Sequence, residues 1–186
     1  MLIHVGTMQI ETERLILRKF EYTDDESMLK NWVSDPRVQL MYCEPVYSTK
    51  EEVKELLTKF ITSYEKADYY RWAIILKDTG ECIGQIAYFL VDSKNHFAEI
   101  EYCIGRCFQN KGYATEATKA VIQYGFDKIN LHKVQICHNS INPSSRKVIE
   151  KCGFVYEGAL RDFFYMDGKY VDRLYYSILK DEFISI

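Results

Sequence analysis

The sequence has little of what marks several large classes of protein. Its 186 residues include three prolines and no stretch rich in proline, glycine and serine, so nothing indicates a linker between domains. No apolar run approaches the ~20 residues needed to cross a bilayer, and the first eight residues lack the charged start and apolar centre of a signal peptide. We therefore expect a single domain over residues 1–186, in the cytoplasm and without a membrane partner.

Positive charge and paired cysteines are also scarce. The formal net charge is −3 and no long basic run occurs, so the sequence lacks the basic surface typical of a nucleic-acid binder. None of the six cysteines forms a C-x-x-C pair, and the adjacent Cys137 and His138 have no second pair of ligands in the sequence. We expect no nucleic-acid partner, no metal, and cysteines that are reduced core residues.

Apolar and aromatic residues are abundant, and their spacing predicts an α+β fold. Hydrophobic residues make up 47% of the chain, enough to bury a sizeable core. The predicted helices cover residues 23–34, 49–66, 112–129 and 142–152. The predicted strands cover residues 14–20, 70–77, 82–91, 97–104, 133–138, 160–165 and 170–178. The order β-α-α-β-β-β-α-β-α-β-β indicates layers of helix around a mixed sheet.

The first candidate site is the loop from residue 109 to 115, between a predicted strand and a predicted helix. Gly112 permits a tight backbone, Ala114 allows close approach, and Lys111 adds positive charge. The unpaired N–H groups at the helix start would suit a pyrophosphate. An ordinary strand-to-helix loop explains the same residues equally well. No G-x-x-x-x-G-K-[ST] phosphate loop occurs.

Two further segments carry residues suited to chemistry. Asn142-Pro143-Ser144-Ser145 leads into a helix that Gly153 would end, which is also the pattern of a simply capped helix. In the predicted strand 97–104, alternation places Glu99 and Glu101 on one face. These carboxylates could be solvated and inert, or one could be a base beside a cleft.

Taken together in this order, the three segments resemble the GNAT acetyltransferase superfamily from about residue 11 to 180. The run Gln109-Asn-Lys-Gly112-Tyr-Ala114 is similar to the family loop Q/R-x-x-G-x-G/A. The Asn142-x-x-Ser145 segment and the later Glu157-Gly-Ala-Leu-Arg161 and Asp167-Gly-Lys-Tyr-x-Asp172 resemble one branch. That branch contains the RimJ/RimL-type acetyltransferases of ribosomal-protein N-termini and the spermidine acetyltransferases.

The resemblance implies a GNAT-like fold and acetyl-coenzyme A (acetyl-CoA) as co-substrate. It implies a central mixed, mostly antiparallel, twisted sheet of about six to seven strands flanked by four helices. It also implies that the edge of the strand ending near residue 105 pairs with the pantetheine arm and supplies an N–H to the thioester oxygen. The cofactor-binding residues it implies are Cys103, Ile104, Gly105, Gln109, Asn110, Lys111, Gly112, Tyr113, Ala114, Thr115, Asn142 and Ser145.

The resemblance also implies catalytic roles. Glu99 matches an acidic position of related enzymes and is favoured as the base, through water, with Glu101 a close second. Glu99 could instead order the cleft or bind the substrate cation. Many relatives carry a thiolate-protonating tyrosine where this chain has Ile149. Ser145 is the candidate acid in its place, or else a hydrogen-bond partner of the coenzyme or of the helix start.

Three functional hypotheses remain open from the sequence. The first is acetylation of a protein or peptide N-terminal amine, because the chain has the Asn142/Ser145 pattern without the later tyrosine. The second is acetylation of a small amine such as a polyamine, an amino sugar or an amino-acid-like compound, which predicts a closed pocket lined with carboxylates. The third is a noncatalytic CoA-binding sensor. The chain is expected to be a monomer or homodimer, with Trp32 and Tyr42 as weak candidates for the acceptor site.

Overall fold

The fold is built on one mixed sheet, which the computed structural model describes within residues 1–183. The strands are β1 (Ile10–Glu11), β2 (Leu15–Arg18), β3 (Tyr70–Leu76), β4 (Cys82–Asp92), β5 (Phe97–Ile104), β6 (Lys133–Asn139), β7 (Val155–Met166) and β8 (Lys169–Leu179). They lie in the order β1-β2-β3-β4-β5-β6-β8-β7. Every neighbouring pair is antiparallel except β5 and β6, which are parallel.

Helices pack on both sides of this sheet. They are α1 (Asp25–Met28), α2 (Pro36–Tyr42), α3 (Lys50–Ser63), α4 (Tyr113–Tyr124) and α5 (Pro143–Lys151). Helix α1 continues as a π-helical turn over Leu29–Val33, and α4 does the same over Gly125–Ile129. No helix within residues 1–183 is long and apolar enough to cross a membrane.

The α+β class and the mixed sheet are confirmed, but both element counts were too low. Within residues 1–183 the sheet has eight strands rather than six to seven, and five α-helices occur rather than four. The missed strand β1 is two residues long, too short to show alternation. The missed helix α2 begins at Pro36, behind an Asp35 side chain that accepts from the N–H of Arg37. Pro36 therefore ends one helix and fills the first position of the next.

Alternate residues of β5 contribute to different cores. Ile100 and Ile104 belong to a buried cluster with residues of α4 and α5, including Val121 and Ile149. Cys103 belongs to the cluster on the other side of the sheet, with residues from α1, α2 and α3. Strand β5 is therefore buried from both sides, and its odd-numbered and even-numbered residues face different helices.

The parallel pair β5 and β6 separates halfway along its length. Pairing runs from Phe97 with Lys133 to Ile100 with Ile136 and then stops. Beyond that point β5 remains paired with β4 as far as Ile104, and β6 remains paired with β8 as far as Asn139. Because each strand follows its other neighbour, a cleft opens between their carboxyl-terminal halves.

Candidate active site

A cavity of about 730 Å³ fills the cleft between β5 and β6. Its walls come from β5 and β6, from α2 on one side of the sheet, from the starts of α4 and α5 on the other, and from Arg173 on β8. Phe89 also lines the cavity and is 47% exposed, so the cavity opens to solvent at that end. A single volume thus connects the two sides of the sheet.

The start of α4 borders the cavity with free backbone donors. Gly112 precedes the helix with φ +86°, a left-handed conformation that favours glycine. Within residues 1–183 no side chain caps this helix, whereas Thr49 caps α3 and Asn142 caps α5. The first N–H groups of α4 and the positive end of its dipole are therefore available to an anion.

Arg14, which the sequence analysis did not single out, holds this loop in place. Its guanidinium donates to the Lys111 carbonyl at 3.0 Å, forms an ion pair with Glu116 at 2.7 Å, and stacks 4.7 Å over the Tyr113 ring. The Lys111 ammonium lies 5.7 Å over the Phe108 ring, and Lys111 is not part of the cavity wall. The residue that fixes the loop is thus remote in sequence, so no local signal marked it.

The edge of β5 that faces β6 forms the floor of the cleft. Over Glu101–Ile104, no strand within residues 1–183 pairs with β5 on the side of β6. The Gln109 side chain donates to the Ile104 carbonyl at 2.9 Å and ties the loop to this edge. Gly105 lies outside the cavity wall, and a Cβ there would come within 2.5 Å of the Asn31 carbonyl oxygen, so packing requires this glycine.

Ser145 and Tyr102 join the two walls of the cleft. The Asn142 side chain accepts from the N–H of Ser145 at 3.1 Å, and the Ser145 hydroxyl lies 3.1 Å from the Tyr102 hydroxyl. Both hydroxyls belong to residues of the cavity wall. Burial raises the pKa of the Tyr102 phenol, so this hydroxyl stays protonated at neutral pH. Tyr102 directly follows Glu101 in sequence, but its even position turns it towards α5.

Glu99 and Glu101 each form an ion pair with an arginine, but the two pairs are oriented oppositely. Arg71 donates to Glu101 at 2.6 Å, and Glu101 lines the cavity whereas Arg71 does not. Arg173 donates to Glu99 at 2.7 Å, and here the arginine lines the cavity while the carboxylate does not. The Glu99 side chain is 4% exposed and that of Glu101 25%.

Tyr42 belongs to the cavity wall on the side of α2, whereas Glu44 lies outside that wall. Tyr42 lines the cavity, and burial raises the pKa of its phenol. Burial, reinforced by the nearby Glu101, raises the pKa of Glu44 as well. Trp32 is completely buried in the core beneath α1 and α3, so it cannot contact an acceptor directly.

The cavity brings together most of the residues singled out from the sequence. Three of them, Glu99, Gly105 and Lys111, lie outside its wall. Residues that the sequence analysis missed are Arg14, Arg71, Tyr102 and Arg173, all of them placed by long-range contacts. The singled-out residues that line the cavity are Glu101, Cys103, Ile104, Gln109, Asn110, Gly112, Tyr113, Ala114, Thr115, Asn142 and Ser145.

Comparison with known proteins places the fold and this cleft in context. Residues 14–155 match the family model described as an acetyltransferase (GNAT) domain. The chain is 33% identical to the uncharacterized N-acetyltransferase p20 of Bacillus licheniformis, over 92% of this chain and 96% of that one. It is 26% identical to a solved spermidine N-acetyltransferase of Vibrio cholerae in complex with CoA and spermine, with a TM-score of 0.79 over 92% and 98% of the chains. The ribosomal-protein-S5-alanine acetyltransferase of Vibrio fischeri has the same fold, with a TM-score of 0.79 and 23% identity over 95% and 99% of the chains.

Proposed function

Because this chain belongs to the GNAT acetyltransferase family, we propose that it transfers an acetyl group from acetyl-CoA to the N-terminal amine of a protein or peptide. The charge distribution of the cavity wall is the observation that carries the choice of acceptor. Among residues 1–183, Glu101 is the one carboxylate in that wall, and it is outnumbered by cations. The cations are Arg37, Arg106, Lys147, Lys151 and Arg173.

The coenzyme side of the cleft fits acetyl-CoA. The uncapped start of α4 offers N–H groups to the pyrophosphate, and Lys147 and Lys151 on α5 add positive charge beside it. The unpaired edge of β5 from Glu101 to Ile104 can receive the pantetheine arm as an added strand. When bound, acetyl-CoA supplies an acetyl group activated as a thioester.

The acceptor side fits one ammonium group better than several. A polyamine carries two or more ammonium groups, and their desolvation calls for several carboxylates. On the side of Glu101 this wall instead contains Arg37 and Arg173, and the cavity opens to solvent beside Phe89. An open cleft suits the end of a polypeptide, and the single carboxylate of the cavity wall suits its single α-ammonium. The relatives named spermidine acetyltransferases make a small amine the alternative acceptor.

We assign the removal of the amine proton to Glu101 rather than to Glu99. Glu101 faces the cavity, whereas Glu99 is buried against Arg173 outside it. An α-amine has a reference pKa of about 8, so a carboxylate acting directly or through one water suffices. As the new C–N bond forms, the amine gives this proton to Glu101.

On the other side of β5, we assign the protonation of the departing sulfur to Ser145. As the C–S bond breaks, the Ser145 hydroxyl donates to the sulfur, which leaves as a thiol. The Tyr102 hydroxyl, 3.1 Å from that of Ser145, orients it and can return the proton from solvent. An N–H of the free β5 edge would stabilise the negative charge that develops on the acetyl oxygen.

The test is thiol release from acetyl-CoA with a panel of short peptides, polyamines and amino sugars. We expect release with peptides whose α-amine is free, and none when the same peptides are N-acetylated beforehand. Release with polyamines alone would contradict the proposed acceptor while leaving the coenzyme assignment intact. Coenzyme binding without transfer to any amine would instead support the noncatalytic sensor.

A further inference from the structure

Arg173 has hydrogen-bonding capacity that the protein does not use. Its Nη2 donates to Glu99 and its Nε donates to the Cys137 sulfur at 3.1 Å. Its third nitrogen, Nη1, has no hydrogen-bond partner among residues 1–183, although Arg173 lines the cavity. A guanidinium presents five N–H donors in a fixed fork, so donors remain for a molecule in the cleft.

The surroundings of Arg173 fix its position without neutralising these donors. The guanidinium carbon lies 4.7 Å from the centre of the Tyr175 ring and 5.0 Å from that of Phe163. Burial raises the pKa of Cys137 to about 12, so the sulfur beside Arg173 is a neutral thiol. Among residues 1–183, Glu99 is the one charged partner of Arg173. A side chain held in this way is pre-organised and loses little entropy when it binds an oxygen atom.

Arg71, on the other side of the two glutamates, has no nitrogen that lacks a partner among residues 1–183. Its three nitrogens donate to Tyr69 at 3.1 Å, to Gln85 at 2.6 Å and to Glu101 at 2.6 Å. It is also outside the cavity wall. The difference identifies Arg173 as the arginine that is prepared for a ligand and Arg71 as the one whose three nitrogens are all engaged within the protein.

We propose that Arg173 binds the carbonyl or carboxylate oxygen next to the acceptor amine and thereby makes the enzyme selective for α-amino carbonyl compounds. The proposal rests on the function proposed above and adds a specificity-determining residue to it. Glu99 and Glu101 are two residues apart on one strand, roughly 7 Å along it. An α-ammonium near Glu101 and its own carbonyl near Arg173 can bridge this span with hydrogen bonds of about 3 Å at each end.

The experiment compares alaninamide with isopropylamine, in which a methyl group replaces the carboxamide that carries the carbonyl oxygen. The ratio of their kcat/KM values is measured for the wild type, for Arg173→Lys and for Arg71→Lys. Lysine keeps the positive charge opposite Glu99 but lacks the planar fork of donors, so we expect the fold to be preserved. Because the two amines differ in pKa, only the change of the ratio between proteins is interpreted. Coenzyme affinity and the melting temperature are measured for each protein.

We expect Arg173→Lys to lower the alaninamide-to-isopropylamine ratio roughly tenfold or more, as expected for the loss of a hydrogen bond to a charged group. The loss should be mainly in KM for alaninamide, and Arg71→Lys should leave the ratio unchanged. An unchanged ratio in Arg173→Lys would overturn this inference alone. Failure of the wild type to acetylate either alaninamide or any peptide, with turnover of a polyamine, would overturn the proposed function as well.

Discussion

Strand β5 carries two glutamate–arginine ion pairs that present opposite partners to the cavity. In the pair of Glu101 with Arg71 the carboxylate faces the cavity, and every nitrogen of the arginine is occupied within the protein. In the pair of Glu99 with Arg173 the carboxylate is buried and the arginine faces the cavity. Two residues of separation along one strand are enough to reverse which partner is exposed.

The reversal follows from where β5 and β6 separate. Glu99 lies opposite Gln135 in the paired part of the two strands, so β6 helps to bury it. Glu101 lies beyond the last paired residues, Ile100 and Ile136, where the cleft begins. The end of one ladder of backbone hydrogen bonds thus decides which glutamate faces the cavity and which one is buried beside β6.

The largest expected effect on activity comes from replacing one carboxylate at a time by an amide, at Glu101 or at Glu99. We expect Glu101→Gln to lower kcat/KM for a peptide by about 10²–10⁴, the usual contribution of a positioned base. Glu99→Gln should lower it by about tenfold at most, because it removes only one interaction of Arg173. Steady-state kinetics with a fixed peptide check both. A severe loss in Glu99→Gln, with Glu101→Gln near wild type, would reverse the assignment.

The second prediction concerns stability and the buried pair. Arg173→Met leaves Glu99 buried without a partner, and we expect it to lower the free energy of unfolding by about 3–5 kcal/mol. The double variant Glu99→Gln/Arg173→Met removes both charges and should recover most of that loss. Denaturant unfolding of both variants and the wild type measures the difference. Equal losses in the single and double variants would show that the charge of Glu99 is not the cause.

A third, smaller effect is expected on the other side of β5. Ser145→Ala should lower kcat by about a hundredfold, and Tyr102→Phe by about tenfold, because the first removes the donor and the second only its orienting partner. The double variant should be no slower than Ser145→Ala alone. Neither change should alter the alaninamide-to-isopropylamine ratio. Independent, multiplying losses in the double variant would mean that the two hydroxyls act separately.

The smallest effect is expected at the start of α4. Gly112→Ala places a side chain at φ +86° and 3.2 Å from the Arg14 guanidinium, which should cost about 1–2 kcal/mol of stability. It should raise KM for acetyl-CoA a few-fold without changing acceptor preference. Gly80→Ala is the matched control, because Gly80 has φ +69° and nothing within 4 Å of the added carbon. A KM change of the same size in Gly80→Ala would argue against a local role for Gly112.

Local sequence patterns were sufficient for much of the fold and for part of the site. Alternation placed Glu99 and Glu101 on the same face of a strand over 97–104, and the structure has that strand at the same bounds. Alternation cannot predict how many residues of β6 pair with β5. The end of that pairing leaves Glu99 in the paired segment and Glu101 beyond it, in the cleft. Arg71 and Arg173 come from strands far away in sequence, so no local spacing linked them to Glu101 and Glu99.

The most direct test is a crystal structure with a bisubstrate analogue in which the CoA sulfur is joined through an acetyl linker to the amine of alaninamide. We expect the linked nitrogen to lie within hydrogen-bond distance of Glu101, or one water away, and the carbonyl oxygen to accept from Nη1 of Arg173. An analogue whose nitrogen lies beside another group, with Arg173 bound only to Glu99 and Cys137, would contradict this expectation.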